Sequence, residues 1–343
     1  MNAAGEGPGV ERVLLGAAAF VVVVAGMKVA GEIIAPIALA LVLVVALSPV
    51  RDWLVRRRVP GWLATILLIL VLYGVLAGFA LALVLSVGRL TTLVPQYADE
   101  AQQMIARAEQ WLTGLGVTSE QAGAAVSRLD PGTFVDIVST VVGSLLSIVT
   151  DLLFILTLLL FMAVEAAGYP RRIARLAGLR PAVATALRQF AHGTRRYLLV
   201  STAFGLVVAV LDGVALQIMG VPLPFLWALL AFVTNYIPNI GFVIGLVPPA
   251  LLALLEGGLG LMIGVVVVYS VINFVLQSIV QPKVVGDSVD LSVTVTFLSL
   301  VLWAWILGGL GAILAVPLTL LARALLVDAS ARTRWAGTIL SAR

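Results

Sequence analysis

Long apolar runs recur along this chain of 343 residues, and they constrain its fold more than any other feature. Hydrophobic residues make up 62% of the sequence and charged residues only 11%. A soluble protein of this length needs more polar surface, because much of its area faces water. Runs of about 20 apolar residues are long enough to cross a bilayer as helices, and the short alternating segments of an outer-membrane barrel are absent. The sequence therefore predicts an all-α, polytopic helical membrane protein.

The side chains offer little for metal binding or covalent chemistry. The chain has no cysteine and a single histidine, His192, which lies among arginines. This excludes thiol nucleophiles, disulfides and a multi-histidine metal site. The sequence also lacks a Walker-type phosphate loop, an HExxH metal motif and a Gly-x-Ser-x-Gly elbow. We therefore expect no cofactor, no metal ion and no enzymatic activity.

Clusters of arginine predict which side of the membrane each loop faces, because positively charged loops stay in the cytoplasm. Residues 167–196 carry seven arginines and no acid, and the loop 51–60 carries four arginines against one acid. With about eight membrane segments, this pattern places both termini in the cytoplasm. Anionic lipid would attract the 167–196 segment by about 1 kcal/mol per arginine near the surface. We expect no nucleic-acid partner for arginines that lie beside a membrane span.

Hydropathy and charge divide the chain into sections. The first holds three spans, beginning with two short helices at about 12–29 and 33–50, the second of which is expected to end at Pro49. An acidic insert with an amphipathic helix follows and is expected outside the cytoplasm. Its apolar stripe has three possible contacts: its own fold, the lipid interface or a neighbouring subunit. The sections are spans 1 to 3 (1–88), the extracytoplasmic insert (89–136), span 4 (137–166), a basic cytoplasmic helical segment (167–196), a C-terminal transport core (197–327) and a cytoplasmic tail (328–343).

One apolar run carries an unusual number of helix breakers and amides. Residues 231–254 read AFVTNYIPNIGFVIGLVPPALLAL and include Asn235, Pro238, Asn239, Gly241 and Gly245. In hydrocarbon every backbone group must be paired within its helix, and proline removes a donor. This stretch is therefore expected to line a polar cavity or to form the tip of a re-entrant hairpin. Whether 226–254 and 291–322 cross the membrane fully or turn back stays open.

A second interrupted run resembles the first. In ILGGLGAILAVPLTLLA (306–322), Gly311 aligns with Gly241, and Pro317 falls within one residue of the position of Pro248. Gly308 and Gly309 allow close approach of the backbone. Two Gly/Pro-interrupted segments in matching positions are typical of the binding sites of internally repeated transporters. Chance alignment of residues that are common in membrane helices is the alternative.

Two further sets of polar residues are candidates for function. Asn273, Gln277 and Gln281 recur every four residues, which favours either a solute path that can donate and accept hydrogen bonds or contacts that hold helices together. Asp212 is the only acid well inside the fifth span. It is either a proton or cation site, since acids buried in membranes are costly and usually functional, or a residue that reaches water near the outer end.

Three motifs carry a resemblance to a known family: YIPNIG (236–241), QPKVVG (281–286) and GGLGAILAVP (308–317). Over nearly its whole length the chain resembles the autoinducer-2 exporter (AI-2E) family of prokaryotic inner-membrane transporters. The resemblance implies a multi-pass permease of the inner membrane, acting as a homo-oligomer, that exports a small polar solute. It also implies pathway roles for a set of motif residues, namely Pro238, Asn239, Gly241, Pro282, Gly286, Gly311 and Pro317.

Three functions follow as hypotheses, and all place the chain in a lipid bilayer. The transport hypotheses have a small molecule or an ion as the substrate. The first is an exporter that gates its two interrupted segments around a central site. The second is a sodium/proton antiporter on the same fold, for which Asp212 would be the coupling residue. The third is a passive channel or a scaffold that binds partners through the insert.

Overall fold

The computed structural model of the protein describes residues 10–114, 118, 140, 143, 154–163, 165, 168–238, 240–281 and 291–329. Nearly all of these residues are helical, and no strand occurs among them. Within these ranges, five helices are long and apolar enough to cross a membrane, and three further apolar helices are shorter. The all-α, polytopic class is therefore confirmed, whereas the number of about eight membrane segments stays a prediction.

The first two helices, α1 (Val10–Val29) and α2 (Gly31–Arg56), meet at Ala30. The break lies where Lys28 and Gly31 predict it. The expectation that α2 ends at Pro49 is wrong, because the helix continues through Pro49 to Arg56.

The hydrogen bonds around Pro49 explain why α2 continues. Proline has no N–H to offer the carbonyl group four residues earlier, which here belongs to Val45. That carbonyl oxygen instead accepts hydrogen bonds from Ser48 Oγ at 2.8 Å and from Arg195 Nε at 2.9 Å. Arg195 Nη2 also donates to Ser48 Oγ at 2.5 Å. A distant arginine therefore satisfies the acceptor that the proline releases.

The third helix, α3 (Gly61–Gly114), runs without a break for 54 residues. No helix end separates the predicted third span from the insert at residue 88. The start of the insert is thus a helical extension of that span. A short apolar helix, α4 (Phe154–Ala163), belongs to the predicted fourth span. The rest of the insert and most of the fourth span lie outside the described residues.

The basic segment forms α5 (Tyr169–Leu179) and the first half of α6 (Pro181–Ile218). Arg180 between them has extended backbone (φ −141°, ψ 79°), as expected before a proline. No helix end separates the basic segment from the fifth span at residue 196. Helix α6 instead continues as a single rod of 38 residues, against which the C-terminal elements pack.

Residues 224–257 form a helical hairpin, called the first hairpin below. Its first arm, α7 (Pro224–Thr234), has 11 residues and is about 16 Å long, too short to cross a bilayer. The chain turns at 235–240 and returns as α8 (Gly241–Asn273), whose helical path is broken at Gly258 by a φ of 71°. Because Gly245 lies against Ala231 and Thr234, the two arms are antiparallel. Beyond Gly258, α8 runs into a π-helix (Phe274–Val280).

Residues 293–323 form a second hairpin from α9 (Val293–Ile313) and α10 (Ala315–Arg323). Helix α9 is interrupted at Gly308, which has a φ of 66°. Trp303 Nε1 donates to Thr319 Oγ1 at 3.0 Å, so the arms on either side of the interruption also run antiparallel. The chain thus turns back in both runs that carry the predicted breakers.

The two hairpins have their open ends at opposite ends of α6. Gly213, near the C-terminal end of α6, lies against Ala228 and Pro224 of the first hairpin. Phe190, in the N-terminal half of α6, clusters with Leu320 near the open end of the second hairpin. The hairpins therefore point into the molecule from opposite directions.

The contact between α2 and α6 leads to a stability prediction. Replacing Arg195 with leucine leaves the Val45 carbonyl with Ser48 as its one described donor. We expect the free energy of unfolding in detergent to fall by about 1.5–3 kcal/mol, the range for a hydrogen bond to a charged group. The exposed Arg175 provides the control, and Arg175→Leu should change the unfolding temperature little. Equal unfolding temperatures for the two variants would contradict this role of Arg195.

Candidate functional site

The tip of the first hairpin, residues 235–240, is held against α6 by polar contacts. Asn235 Nδ2 donates to the Ser201 carbonyl oxygen at 2.9 Å. Tyr197 Oη donates to the Tyr236 carbonyl oxygen at 2.8 Å, and the hydroxyl groups of Thr202 and Tyr236 are hydrogen-bonded at 2.6 Å. The N–H groups described in this turn bond to carbonyl oxygens within the hairpin, and α6 supplies the donor for the Tyr236 carbonyl oxygen.

Amide side chains extend this contact to the end of α8 and to the π-helix that follows it. Gln277 Nε2 donates to Asn273 Oδ1 at 2.9 Å and to Asn235 Oδ1 at 3.4 Å. Asn273 Nδ2 in turn donates to the Tyr269 carbonyl oxygen at 3.0 Å. We call Asn235, Asn273 and Gln277 the amide network. It connects the hairpin tip with α6 on one side and with the π-helical end of α8 on the other.

A small cavity beside the amide network contains the carboxyl group of Asp212. Its lining includes all three network residues and Gly245, and its space is close to that of one water molecule. Asp212 is 1% exposed, so the expectation that it reaches water near the outer end is wrong. Within the described part of the chain, neither its carboxyl oxygens nor the neighbouring Tyr269 hydroxyl has a hydrogen-bond partner.

The chemistry of this cavity suits a proton or a monovalent cation better than a divalent metal. Asp212 is the one carboxyl group in its lining, beside amide oxygens and the Thr234 hydroxyl. No cluster of three or more histidine, aspartate or glutamate side chains that could hold a metal ion occurs in the ranges the structure covers. A buried carboxylate without donors is costly as an anion, so a proton or a bound cation would offset that cost.

The structure brings together five of the residues that the sequence singles out: Asp212, Asn235, Gly245, Asn273 and Gln277. Pro238 lies half-buried in the turn. Gln281 shares no described hydrogen bond with the network. Helix α8 becomes π-helical from Phe274, and a wider turn no longer repeats one face every four residues. Asn239, Pro282 and Gly286 lie outside the described residues.

Gly241 and Gly311 occupy equivalent places in the two hairpins. A β-carbon on Gly241 would lie 1.8 Å from the Thr234 carbonyl oxygen, and one on Gly311 would lie 2.0 Å from the Trp303 carbonyl oxygen. Each glycine therefore lets the start of the return arm touch the end of the first arm. This shared geometry is a physical reason for the sequence similarity between the two runs.

The tip of the second hairpin packs on the N-terminal helices. Gly31 lies so close to Ile306 that a β-carbon there would be 3.1 Å from its carbonyl oxygen. Lys28 Nζ lies 3.8 Å from the centre of the Trp305 ring, which accounts for a charge in an apolar run. Gly308 and Gly309 are exposed and have no atom within 4 Å of an added β-carbon, so the expectation that they allow close approach of the backbone is wrong. Pro317 is buried in the first turn of α10, where a missing N–H is tolerated.

Sequence reasoning missed the residues of α6 that hold the first tip, Tyr197, Ser201 and Thr202. Tyr197 and Ser201 are four residues apart and so share a helix face, which was the available signal. The arginines before Tyr197 obscured this signal, because an arginine cluster is typical of a loop next to a membrane span. Tyr269 was also missed, although it lies four residues before Asn273 and extends the polar stripe backwards.

Comparison with known proteins adds to this geometry. The family model described as AI-2E family transporter matches residues 18–330. The chain belongs to the AI-2E transporter family. The family resemblance of the three motifs is thus confirmed, and with it the interpretation that the chain is a transporter and not an enzyme. Membership, together with the apolar helices, makes it a multi-pass protein of the bacterial inner membrane. The orientation of its termini and its homo-oligomeric state stay predictions.

Several curated relatives align along most of their length. A protein of Haemophilus influenzae named "Putative transport protein" is 33% identical over 316 residues, covering 90% of each chain. Escherichia coli K12 contributes "Putative transport protein YhhT", 30% identical over 90% of this chain and 88% of its own. The "AI-2 transport protein TqsA" of the same strain is 29% identical over 88% of both chains.

Proposed function

We propose that this AI-2E family member exports a small polar solute and that the tip of the first hairpin is its gate. The observation that carries the proposal is the amide network, which fastens the tip to α6 and α8 through Asn235 and Gln277. These groups both donate and accept hydrogen bonds, so they can exchange their mutual contacts for contacts with a hydroxylated solute. The name of the relative TqsA, an AI-2 transport protein, supports autoinducer-2 as the first solute to test.

The size of the cavity supports a closed state. A space for about one water molecule is too small for an organic solute, so a path requires the tip to separate from α6. Separation breaks the hydrogen bonds of Asn235 and those of Tyr236 with Tyr197 and Thr202. Each such bond contributes only about 0.5–1.5 kcal/mol net, so a solute that replaces some of them lowers the free energy needed to open the tip. Gating of this kind at the end of a short hairpin arm fits a transporter with discontinuous segments.

The glycine contacts provide a direct test of gating by the hairpins. We expect Gly241→Ala and Gly311→Ala each to reduce autoinducer-2 efflux about tenfold or more, because the added methyl group pushes the arms apart at the tip. Membrane insertion should be intact in both variants. The measurement is efflux of the solute from cells that express each variant at equal level.

The control for this test is Gly260→Ala. Gly260 has no atom within 4 Å of an added β-carbon, and the substitution is chemically identical. Its efflux should match that of the unmodified protein. Unchanged efflux in both hairpin variants would contradict the gate. If the unmodified protein does not move autoinducer-2, comparing extracellular metabolites with and without the protein identifies the solute for the same variants.

A second candidate function, sodium/proton exchange, rests on a separate observation. The Asp212 carboxyl group is buried, has no described hydrogen-bond partner and faces the same cavity as the amide network. Acids in such positions mark proton or ion pathways in membrane proteins. In this second proposal the cation replaces a proton on Asp212 as the tip opens.

Replacing Asp212 with asparagine tests this coupling with little change in shape. If the protein exchanges sodium for protons, Asp212→Asn should abolish sodium-dependent proton flux in proteoliposomes, because asparagine does not release a proton. Glu32→Gln removes an exposed carboxyl group and should leave the flux unchanged. Sodium-dependent flux in Asp212→Asn equal to that of the unmodified protein would exclude Asp212 as the coupling residue.

A further inference from the structure

A second and much larger cavity lies on the arginine-rich side of the molecule and shares no lining residue with the cavity at the hairpin tip. Its volume is about 850 Å³, and residues of α2, α3, α4, α5 and α6 form its walls. Sites for small ligands usually measure about 300–1,000 Å³. The space is therefore large enough for an organic ligand.

The lining of this cavity is divided into an apolar wall and a cationic end. The apolar wall is built by α2, α3 and α4, and it includes Leu41, Val44, Leu68, Leu72, Leu159 and Met162. The cationic end is built by Arg51 of α2 and by Arg188 and Arg195 of α6, and His192 lies beside them in the lining. A ligand that matches both parts carries an anionic group and a long apolar portion.

Arg51 is the most informative residue of the cationic end. Its side chain is only 17% exposed, and its Nε donates to Thr65 Oγ1 at 3.0 Å. Its one described carboxylate neighbour, Asp52, lies 3.9 Å from Nη1 and is itself 52% exposed. A partly buried guanidinium group with weak pairing favours an anionic ligand, and its planar donors match the oxygens of a phosphate group.

The α6 side of the cavity adds positive charge. Arg188, His192 and Arg195 follow one another at intervals of four and three residues, so they share one helix face. Arg195 is committed to Val45 and Ser48. Among the described residues, the side chains of Arg188 and His192 form no hydrogen bond or ion pair.

The acids of the lining do not cancel this positive charge. Apart from Asp52, the lining contains Glu165, which pairs at 2.6 Å with Arg172 outside the cavity. Arg51 and Arg188 therefore leave an excess of positive charge at this end.

We propose that this cavity binds an anionic phospholipid of the membrane, with its phosphate at Arg51 and Arg188 and an acyl chain along the wall of Leu41 and Leu72. Basic pockets between membrane helices on the cytoplasmic side suit such head groups. The apolar wall favours a lipid over a soluble organic phosphate, which would leave it empty. The proposal does not depend on the transported solute or on the gate.

Native mass spectrometry of the full-length protein tests the proposal. The protein is offered phosphatidylglycerol and phosphatidylcholine in equal amounts. We expect the unmodified chain to retain phosphatidylglycerol preferentially. The double variant Arg51→Gln/Arg188→Gln should bind it at least about tenfold more weakly, because two charge-assisted contacts are lost. The control Arg175→Gln removes an exposed arginine outside the lining and should keep the preference.

A second variant separates the cavity from general surface attraction. Ala163→Phe fills the cavity beside the apolar wall and leaves every arginine in place, and it should also reduce retention of phosphatidylglycerol. This variant keeps the test valid if Arg51→Gln/Arg188→Gln does not fold. Three outcomes would each overturn the proposal: undiminished retention in the folded variants, an equal loss in Arg175→Gln, or displacement of the lipid by glycerol 3-phosphate at equal concentration.

Discussion

The backbone of this protein has to satisfy its hydrogen bonds without water over most of its length, and its structure follows from how the exceptions are handled. At Pro49 and at the turn of the first hairpin, another part of the chain provides a partner for an exposed backbone carbonyl. The Val45 carbonyl released by Pro49 accepts a hydrogen bond from Arg195 of α6, and the turn that begins at Asn235 is held by Tyr197 and by the Ser201 carbonyl of α6. In lipid, only protein can supply the missing hydrogen bonds. Each of these interruptions therefore depends on a long-range contact.

These long-range contacts make α6 the centre of the C-terminal half. The first hairpin packs along its C-terminal part and the second contacts its N-terminal part, so their open ends lie at opposite ends of one helix. Gly241 and Gly311 perform the same task in both, allowing a return arm to touch the arm before it. Among the described residues, the amide network reaches the first hairpin through Asn235 and shares no hydrogen bond with the second. The two hairpins thus share a backbone design, and the polar chemistry of the first sets it apart.

The membrane helices and their interruptions could be predicted from the sequence. Long apolar runs indicate the helices, and glycine and proline indicate the interruptions. The polar residues that converge at the tip were also recognisable, since amides and an acid are costly in lipid and Asp212, Asn235, Asn273 and Gln277 therefore stand out. The hydrogen bonds between segments that are distant in sequence could not be predicted. Pro49 is expected to end α2, because the sequence does not show that Arg195, 146 positions later, donates to the carbonyl group that Pro49 releases. Gln281 is predicted to belong to the polar stripe because the amides recur every four residues. The sequence does not show that the helix becomes π-helical at Phe274.

The central claim is that the amide network holds the tip of the first hairpin closed. The chain has no cysteine, so a single cysteine at Ile240, which is 36% exposed at the tip, can be labelled selectively with a water-soluble maleimide. Adding Gln277→Leu should raise its labelling rate about tenfold, because the loss of about 1.4 kcal/mol of hydrogen bonding shifts the tip toward the open state. A cysteine at Ile244, one turn into α8, should show no such change. Equal labelling of the Ile240 cysteine with and without Gln277→Leu would contradict the claim.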